Sequence, residues 1–276
     1  MKIAVLSGKG GTGKTTVSAS LAAAVGQCQY IDCDVEEPNG ALFLNPRIES
    51  ETPVYVQIPE VKEDKCDGCG DCARACMFNA IAVVKRKVII FPELCHHCGA
   101  CGIACTKNAV YEAPRQTGVI ESGDNGMFLQ GKLNIGEFIT IPVINKLKQM
   151  MRNDIPVILD CTPGASCTVV KTISGTDFCV LVTEPTPFGL HDLKIAAALV
   201  KKMGIRFGVV INKAMDSDKS IQQYCARHNI AVLMEIPYER RIAENYSRGI
   251  LPVHMDKTYK EKFIKLFNSI KAGAAS

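Results

Sequence analysis

The chain of 276 residues has no tryptophan, only 6% aromatic residues, and no apolar run near the ~20 residues that a membrane crossing needs. Its uninterrupted apolar stretches are short, as at Ile195–Val200 and Phe178–Val182, so a membrane-spanning helix is not expected. An excess of one charge is missing as well. Thirty-two Lys and Arg against 28 Asp and Glu leave +4, spread along the chain, which is too weak for a nucleic-acid surface. The opening Lys2-Ile3-Ala4-Val5-Leu6-Ser7 lacks the order of charged segment, apolar core and small-residue cleavage site that marks a secretory signal, and a cytoplasmic location is expected. With 47% hydrophobic residues the chain has ample material for a core, which excludes global disorder. Its length suits one large α/β domain, alone or carrying a smaller module.

Cysteine, by contrast, is abundant: fourteen residues, eight of them between Cys66 and Cys105. In a chain expected to stay in a reducing compartment, metal ligation ranks above disulfides.

Outside residues 60–112 the sequence alternates short β-branched runs with helical patterns, the signature of a doubly wound, mostly parallel sheet. Strands are predicted at Ile3–Leu6, Gln29–Ile31, Val54–Ile58, Val157–Leu159, Phe178–Val182, Phe207–Ile211 and Ala231–Met234. Helices are predicted at Lys14–Val25, Ile141–Met151, Leu190–Met203, Ser220–His228 and Tyr259–Ile270. Cys66–Cys76 is repeated twenty-nine residues later at Cys95–Cys105, and Asn79-Ala80-Ile81 returns as Asn108-Ala109-Val110. Ile81–Val84, Lys85-Arg86-Lys87 and Val88–Phe91 read as strand, turn, strand between the copies. The expected organisation is a discontinuous α/β domain, residues 1–59 and 113–276, with a small two-fold α+β module inserted at 60–112. Pro114–Gly136, rich in glycine and polar residues, is expected to lead the chain back to the sheet.

Gly8-Lys9-Gly10-Gly11-Thr12-Gly13-Lys14-Thr15 satisfies G-x4-G-K-[ST] between a predicted strand and a predicted helix, the context a phosphate-binding loop requires. The glycines let backbone N–H groups turn around an anion, and the helix start adds its positive dipole end. Lys14 is assigned to the β- and γ-phosphates, Thr15 to Mg2+, and Thr16 completes the loop. The second lysine, Lys9, makes the segment resemble the deviant Walker A family of P-loop ATPases, which includes MinD, ParA, the Mrp-type cluster carriers and the iron protein of nitrogenase. By that resemblance Lys9 reaches across an ATP-sandwich homodimer to the partner's phosphates, and the chain is a Mg-ATPase. Asp32 is implied beside the magnesium and Asp34 as the group orienting the attacking water. Asp160 is implied as a Mg2+ holder through water, and Gly164 as the anchor of a second switch. Carboxylates at strand ends suit this, because open α/β sheets bind ligands at that edge. Asn212, Lys213, Pro237 and Tyr238 resemble the family's adenine-recognition positions.

Cys66-x2-Cys69-x2-Cys72-x3-Cys76 and Cys95-x2-Cys98-x2-Cys101-x3-Cys105 are similar to the two runs of bacterial two-cluster ferredoxins. That resemblance assigns Cys66, Cys69, Cys72 and Cys105 to one [4Fe-4S] cluster and Cys95, Cys98, Cys101 and Cys76 to another. It departs at Met77 and Thr106, where the ferredoxins place proline, adding a backbone N–H beside each cluster. Zinc at two four-thiolate sites is the alternative. His96 and His97 are read as surface residues. Two oxidised clusters would bring the formal +4 to about zero. Among the other cysteines, Cys28, Cys179 and Cys225 read as small core residues, and Cys33 and Cys161 touch the switches. Cys167 stands where the nitrogenase iron protein carries a ligand for its dimer-bridging cluster. The apolar stripe Tyr259, Phe263, Leu266, Phe267 and Ile270 reads as a helix packed on the sheet rather than a MinD-like membrane anchor.

Together the two motifs resemble MinD-superfamily ATPases with an inserted ferredoxin domain. Three functions follow as expectations: nucleotide state coupled to electron transfer toward a redox or metallocluster protein; an ATP-dependent carrier or assembly factor for clusters; or a MinD-like binding switch with structural clusters.

Overall fold

In the computed structural model, which describes residues 1–215 and 217–275, the chain divides into two compact units. The first comprises Met1–Thr52, Ile120–Lys132 and Ile144–Ser276, and the second Pro53–Val119 and Leu133–Val143. The second is wider than the 60–112 expected from the cysteine repeat.

The strands are β1 (Lys2–Leu6), β2 (Gln29–Asp32), β3 (Ile48–Val61), β4 (Ile81–Val84), β5 (Lys87–Ile90), β6 (Val110–Gly123), β7 (Phe128–Leu133), β8 (Val157–Asp160), β9 (Phe178–Thr183), β10 (Arg206–Ala214) and β11 (Val232–Pro237). Nine of them form one sheet in the order β11-β10-β9-β1-β8-β2-β7-β6-β3, while β4 and β5 form a separate antiparallel hairpin. Every pairing from β11 through β7 is parallel. Strands covered by helices on both faces are apolar throughout, and Ile3, Ala4, Val5 and Leu6 of β1 are fully buried accordingly. β1 continues to β2 on one side, whereas its neighbour β8 continues to β9 on the other, so the connections at their carboxyl ends run opposite ways, the place where open α/β sheets bind ligands. Asp32 and Asp160 are register partners at the ends of β2 and β8.

The large, mostly parallel α/β sheet matches the expected class, with one correction. The segment at Pro114–Gly136 is not a connection: it supplies most of β6, the short turn Asp124–Gly126, and β7. Its polar residues hid the strands because they satisfy one another across the hairpin: the buried Glu121 takes Lys132 Nζ at 2.5 Å and the Gln130 amide. Ile120, Phe128 and Leu129 bury the apolar face. The last helix, Lys257–Ala275, buries Tyr259, Phe263, Leu266 and Ile270 in the main core and exposes Lys260, Lys262, Lys265 and Lys271. Its apolar stripe therefore already has a partner within the chain. Among the described residues no helix is long and apolar enough to cross a membrane.

In the second unit the sequence repeat is reproduced residue by residue. Each cysteine run contains a five-residue helix, Asp71–Ala75 and Ala100–Ala104, entered through a left-handed glycine, Gly70 and Gly99. Asn79 and Asn108 both adopt positive φ, and the following Ala80 and Ala109 are both 1% exposed. Ala80 and Cys95 pack with Val56 and Ile58 into a small core of this unit.

Candidate functional site

The phosphate loop follows β1 and feeds the helix Lys14–Val25. Gly13 stands at φ 89°, and a Cβ there would fall 2.1 Å from Asn212 Nδ2, so only glycine fits. Asn212 in turn donates from Nδ2 to Thr12 O at 2.8 Å, bracing the loop from the end of β10. The helix start carries no side-chain cap, and the buried Thr12 Oγ1 has no hydrogen-bond partner. Uncapped N–H groups and an orphaned hydroxyl are what an anion-binding turn presents.

Lys14, 6% exposed, points its ammonium 2.6 Å from Asp160 Oδ1, 3.6 Å from Asp34 Oδ2 and 3.5 Å from Thr15 Oγ1. Burial opposes its charge, but Asp160, Asp34 and Asp32 more than offset this and hold Lys14 above the usual lysine range. The structure thus gathers Lys14, Thr15, Asp34 and Asp160 around one point.

Asp32 is fully buried and serves the loop that follows it. Its Oδ1 accepts from the Asp34 N–H at 3.0 Å, and its Oδ2 from Asn39 and Gly40 at 3.0 and 2.8 Å. Burial, then repulsion from Asp160, raises its carboxyl. Asp34 is lifted to about 6 by burial, with Lys14 pulling it down and Asp160 adding to the rise. On the second loop, the Gly164 N–H donates to Ser7 O at 2.8 Å with Gly164 at φ 97°. The buried Thr162 Oγ1 between Asp160 and Gly164 has no partner.

Lys9 is engaged away from Lys14 and its carboxylates. Its ammonium sits 2.7 Å from Glu184 Oε1, and Lys213 holds Oε2 of the same carboxylate at 3.0 Å while also donating to Gly11 O at 3.0 Å. Burial pushes Glu184 up, but bonds from Lys9 and Lys213 outweigh it and keep the carboxyl below its usual range. Sequence reasoning missed Glu184, although it follows β9 at the same strand edge that pointed to Asp32 and Asp160. It also missed Tyr30, a fully buried phenol in β2 that donates to Asp160 Oδ2 at 3.1 Å. A lone tyrosine within a short buried strand gives no such signal.

Next to the loop a cleft is lined by Thr16, Asn212, Lys213, Pro237, Tyr238 and Tyr246. It joins the residues matched to adenine recognition and adds Tyr246 from the helix Arg240–Tyr246.

In the second unit the eight thiols sort into two cavities. One is lined by Cys66, Cys69, Cys72 and Cys105, the other by Cys95, Cys98, Cys101 and Cys76. The fourth cysteine of each run thus faces the first three of the other. At equivalent positions the N–H groups of Ala80 and Ala109 donate to Cys76 Sγ and Cys105 Sγ, both at 3.3 Å. Among the described residues, no group of three or more His, Cys, Asp or Glu side chains is arranged to hold a metal ion. His96, exposed, stacks on Phe78, and the half-buried His97 sets Nδ1 3.2 Å from Gln57 O. Cys28, Cys33, Cys161, Cys179 and Cys225 are buried, whereas Cys167 is exposed at the first residue of the helix Cys167–Ile173.

Residues 3–253 match the model of the CobQ/CobB/MinD/ParA nucleotide binding domain. An uncharacterized protein of Methanocaldococcus jannaschii is 33% identical over 263 residues, covering 90% of each chain. An uncharacterized ATP-binding protein of the same organism is 26% identical over 286 residues, covering 98% of this chain and 97% of its own. Among solved structures, the septum site-determining protein MinD of Pyrococcus horikoshii, complexed with Mg-ADP, superposes with a TM-score of 0.60 at 18% identity, covering 100% of this chain and 98% of that one.

Proposed function

Because the chain belongs to the CobQ/CobB/MinD/ParA nucleotide-binding family, we propose that it is a dimeric Mg-ATPase whose nucleotide state controls electron transfer through two [4Fe-4S] clusters. Lys14 and the loop N–H groups would hold the phosphates, and Thr15 with Asp160 would hold the Mg2+ that neutralises phosphate charge. Asp34 stands 3.6 Å from the Lys14 ammonium and is free to orient water toward the terminal phosphate. When phosphates take over the Lys14 ammonium, Asp160 Oδ1 is released from its 2.6 Å bond, which connects nucleotide occupancy to the Asp160–Gly164 segment. Lys9, once freed from Glu184, would serve the partner's phosphates.

The observation that carries the iron–sulfur part is the crossed sorting of the thiols. A zinc ion needs its four sulfurs about 2.3 Å from one centre. Four thiols spread around one cavity, one of them from the other run, suit a cube with an iron at each corner. Paired Sγ-directed N–H groups at Ala80 and Ala109 fit thiolate ligands.

Anaerobic isolation followed by electron paramagnetic resonance, with and without ATP, tests the reading. Two reduced four-iron signals that change on adding ATP are expected. Iron-bearing protein whose signals ignore nucleotide would favour a binding switch with structural clusters, and ATP-stimulated loss of iron to an apo-protein would favour a carrier.

A further inference from the structure

Asp160 is held from two sides: Oδ1 faces Lys14 at 2.6 Å, and Oδ2 accepts the Tyr30 phenol at 3.1 Å. With nucleotide bound the first partner would have the phosphates to bind, whereas the second stays fixed in the interior, its hydroxyl within reach of Asp160 and Ser18. Tyr30 is 2% exposed, and its ring stacks on Phe128 with centroids 5.8 Å apart and planes 12° from parallel. Its oxygen lies 3.3 Å from Ser18 Oγ in the helix after the phosphate loop. Gly40, whose N–H donates to Asp32, packs so tightly on the ring that a Cβ there would fall 2.5 Å from Tyr30 Cε1. The phenol is therefore fixed by the loop helix, by β7 and by the loop after β2, independently of the lysine.

We propose that Tyr30 is a positioning residue for magnesium: by holding Oδ2 it keeps Oδ1 of Asp160 aimed at the cation site when Lys14 turns to phosphate. The inference rests on the Mg-nucleotide reading above. A carboxylate that holds a metal through water depends on its own partner for orientation, and removing an outer partner of a metal site costs about 10- to 100-fold in metal affinity. Tyr30→Phe keeps the ring, its stacking and its fit against Gly40, and removes only the hydroxyl with its contacts to Asp160 and Ser18.

The test is an equilibrium titration of Mg2+ into the full anaerobic chain with a fluorescent ADP analogue, read as analogue affinity against Mg2+ concentration. For Tyr30→Phe the Mg2+ midpoint is expected to rise about tenfold or more, with affinity in EDTA unchanged. Replacement by 4-aminophenylalanine, which restores a donor at the same reach, should return the midpoint to within threefold of the parent. A Tyr30→Phe midpoint equal to the parent's overturns the proposal, as does a loss of EDTA affinity equal to the loss with Mg2+. If the parent chain binds no analogue at all, the nucleotide reading itself fails. Should the Phe variant not fold, the parent alone decides by NMR. A slowly exchanging Tyr30 hydroxyl proton that persists with Mg-ADP supports the role, and its disappearance on binding refutes it.

Discussion

Lys9 and Glu184 form an ion pair of 2.7 Å within one chain, at the end of β9 beside the phosphate loop. The lysine that the family resemblance sends across a dimer is thus already engaged at home, and Glu184 is shared with Lys213 at 3.0 Å. Closing a nucleotide sandwich would first have to break this contact.

Glu184→Gln weakens that grip, and a partly exposed pair is worth about 1 kcal/mol, or roughly fivefold in an equilibrium constant. Analytical ultracentrifugation with ATP is expected to show a dimer tighter by about that factor. Lys9→Ala should leave mononucleotide affinity within about threefold of the parent and lower the single-turnover hydrolysis rate by about 10³, the scale of a trans-acting cation. Hydrolysis at the parent rate would remove Lys9 from the reaction.

Lys14→Met strips the counter-charge from Asp160 and Asp34 while their carboxylates stay in the interior. Breaking a buried pair from one side costs about 3–5 kcal/mol. Denaturant unfolding of the nucleotide-free chain should register a loss of that order alongside loss of ATP binding. The companion Lys14→Met, Asp160→Asn chain should recover part of the stability and none of the binding.

Asp34 stands at about 6 in the folded chain against an ordinary 3.8, through burial. A raised folded pKa means the native state holds the proton more tightly. Its stabilising contribution is therefore complete below about pH 4 and is lost as pH rises through about 6. The nucleotide-free melting temperature, compared between parent and Asp34→Asn at pH 5.5 and 7.5, is expected to show the parent gaining more on acidification. Equal pH dependence in the two chains would contradict the burial-driven shift.

Crossed ligation can be separated from two self-closed runs by iron counting. Replacing both Cys66 and Cys105 with Ser strikes one cavity only and should leave about four of about eight irons. Replacing both Cys66 and Cys95 strikes both cavities and should leave none. Identical iron loss in the two doubly substituted chains would refute the crossing. Cys167→Ser should retain the full iron content.

The sequence by itself determined the parts whose physics is local. G-x4-G-K-T needs only a strand, a turn of glycines and a helix start, and Gly13 and Lys14 stand where that pattern put them. The cysteine repeat is equally local, so both copies build the same five-residue helix after the same left-handed glycine. The apolar runs announced the parallel strands because burial on both faces leaves no polar alternation to read. Polar residues misled where they pair with one another, as Glu121 does with Gln130 and Lys132, which turned two strands into an apparent linker.

Tertiary structure alone decided the partners. Asp160 meets Lys14, 146 residues earlier in the chain, and Tyr30, 130 residues earlier, because parallel strand order carries distant strand ends to one edge. It placed Lys9 on Glu184 and sorted the fourth cysteine of each run to the other's cavity. Residue type and spacing state what a side chain can do within a turn or two. What it actually faces depends on burial and on which remote backbone the sheet brings beside it, and no local pattern encodes either.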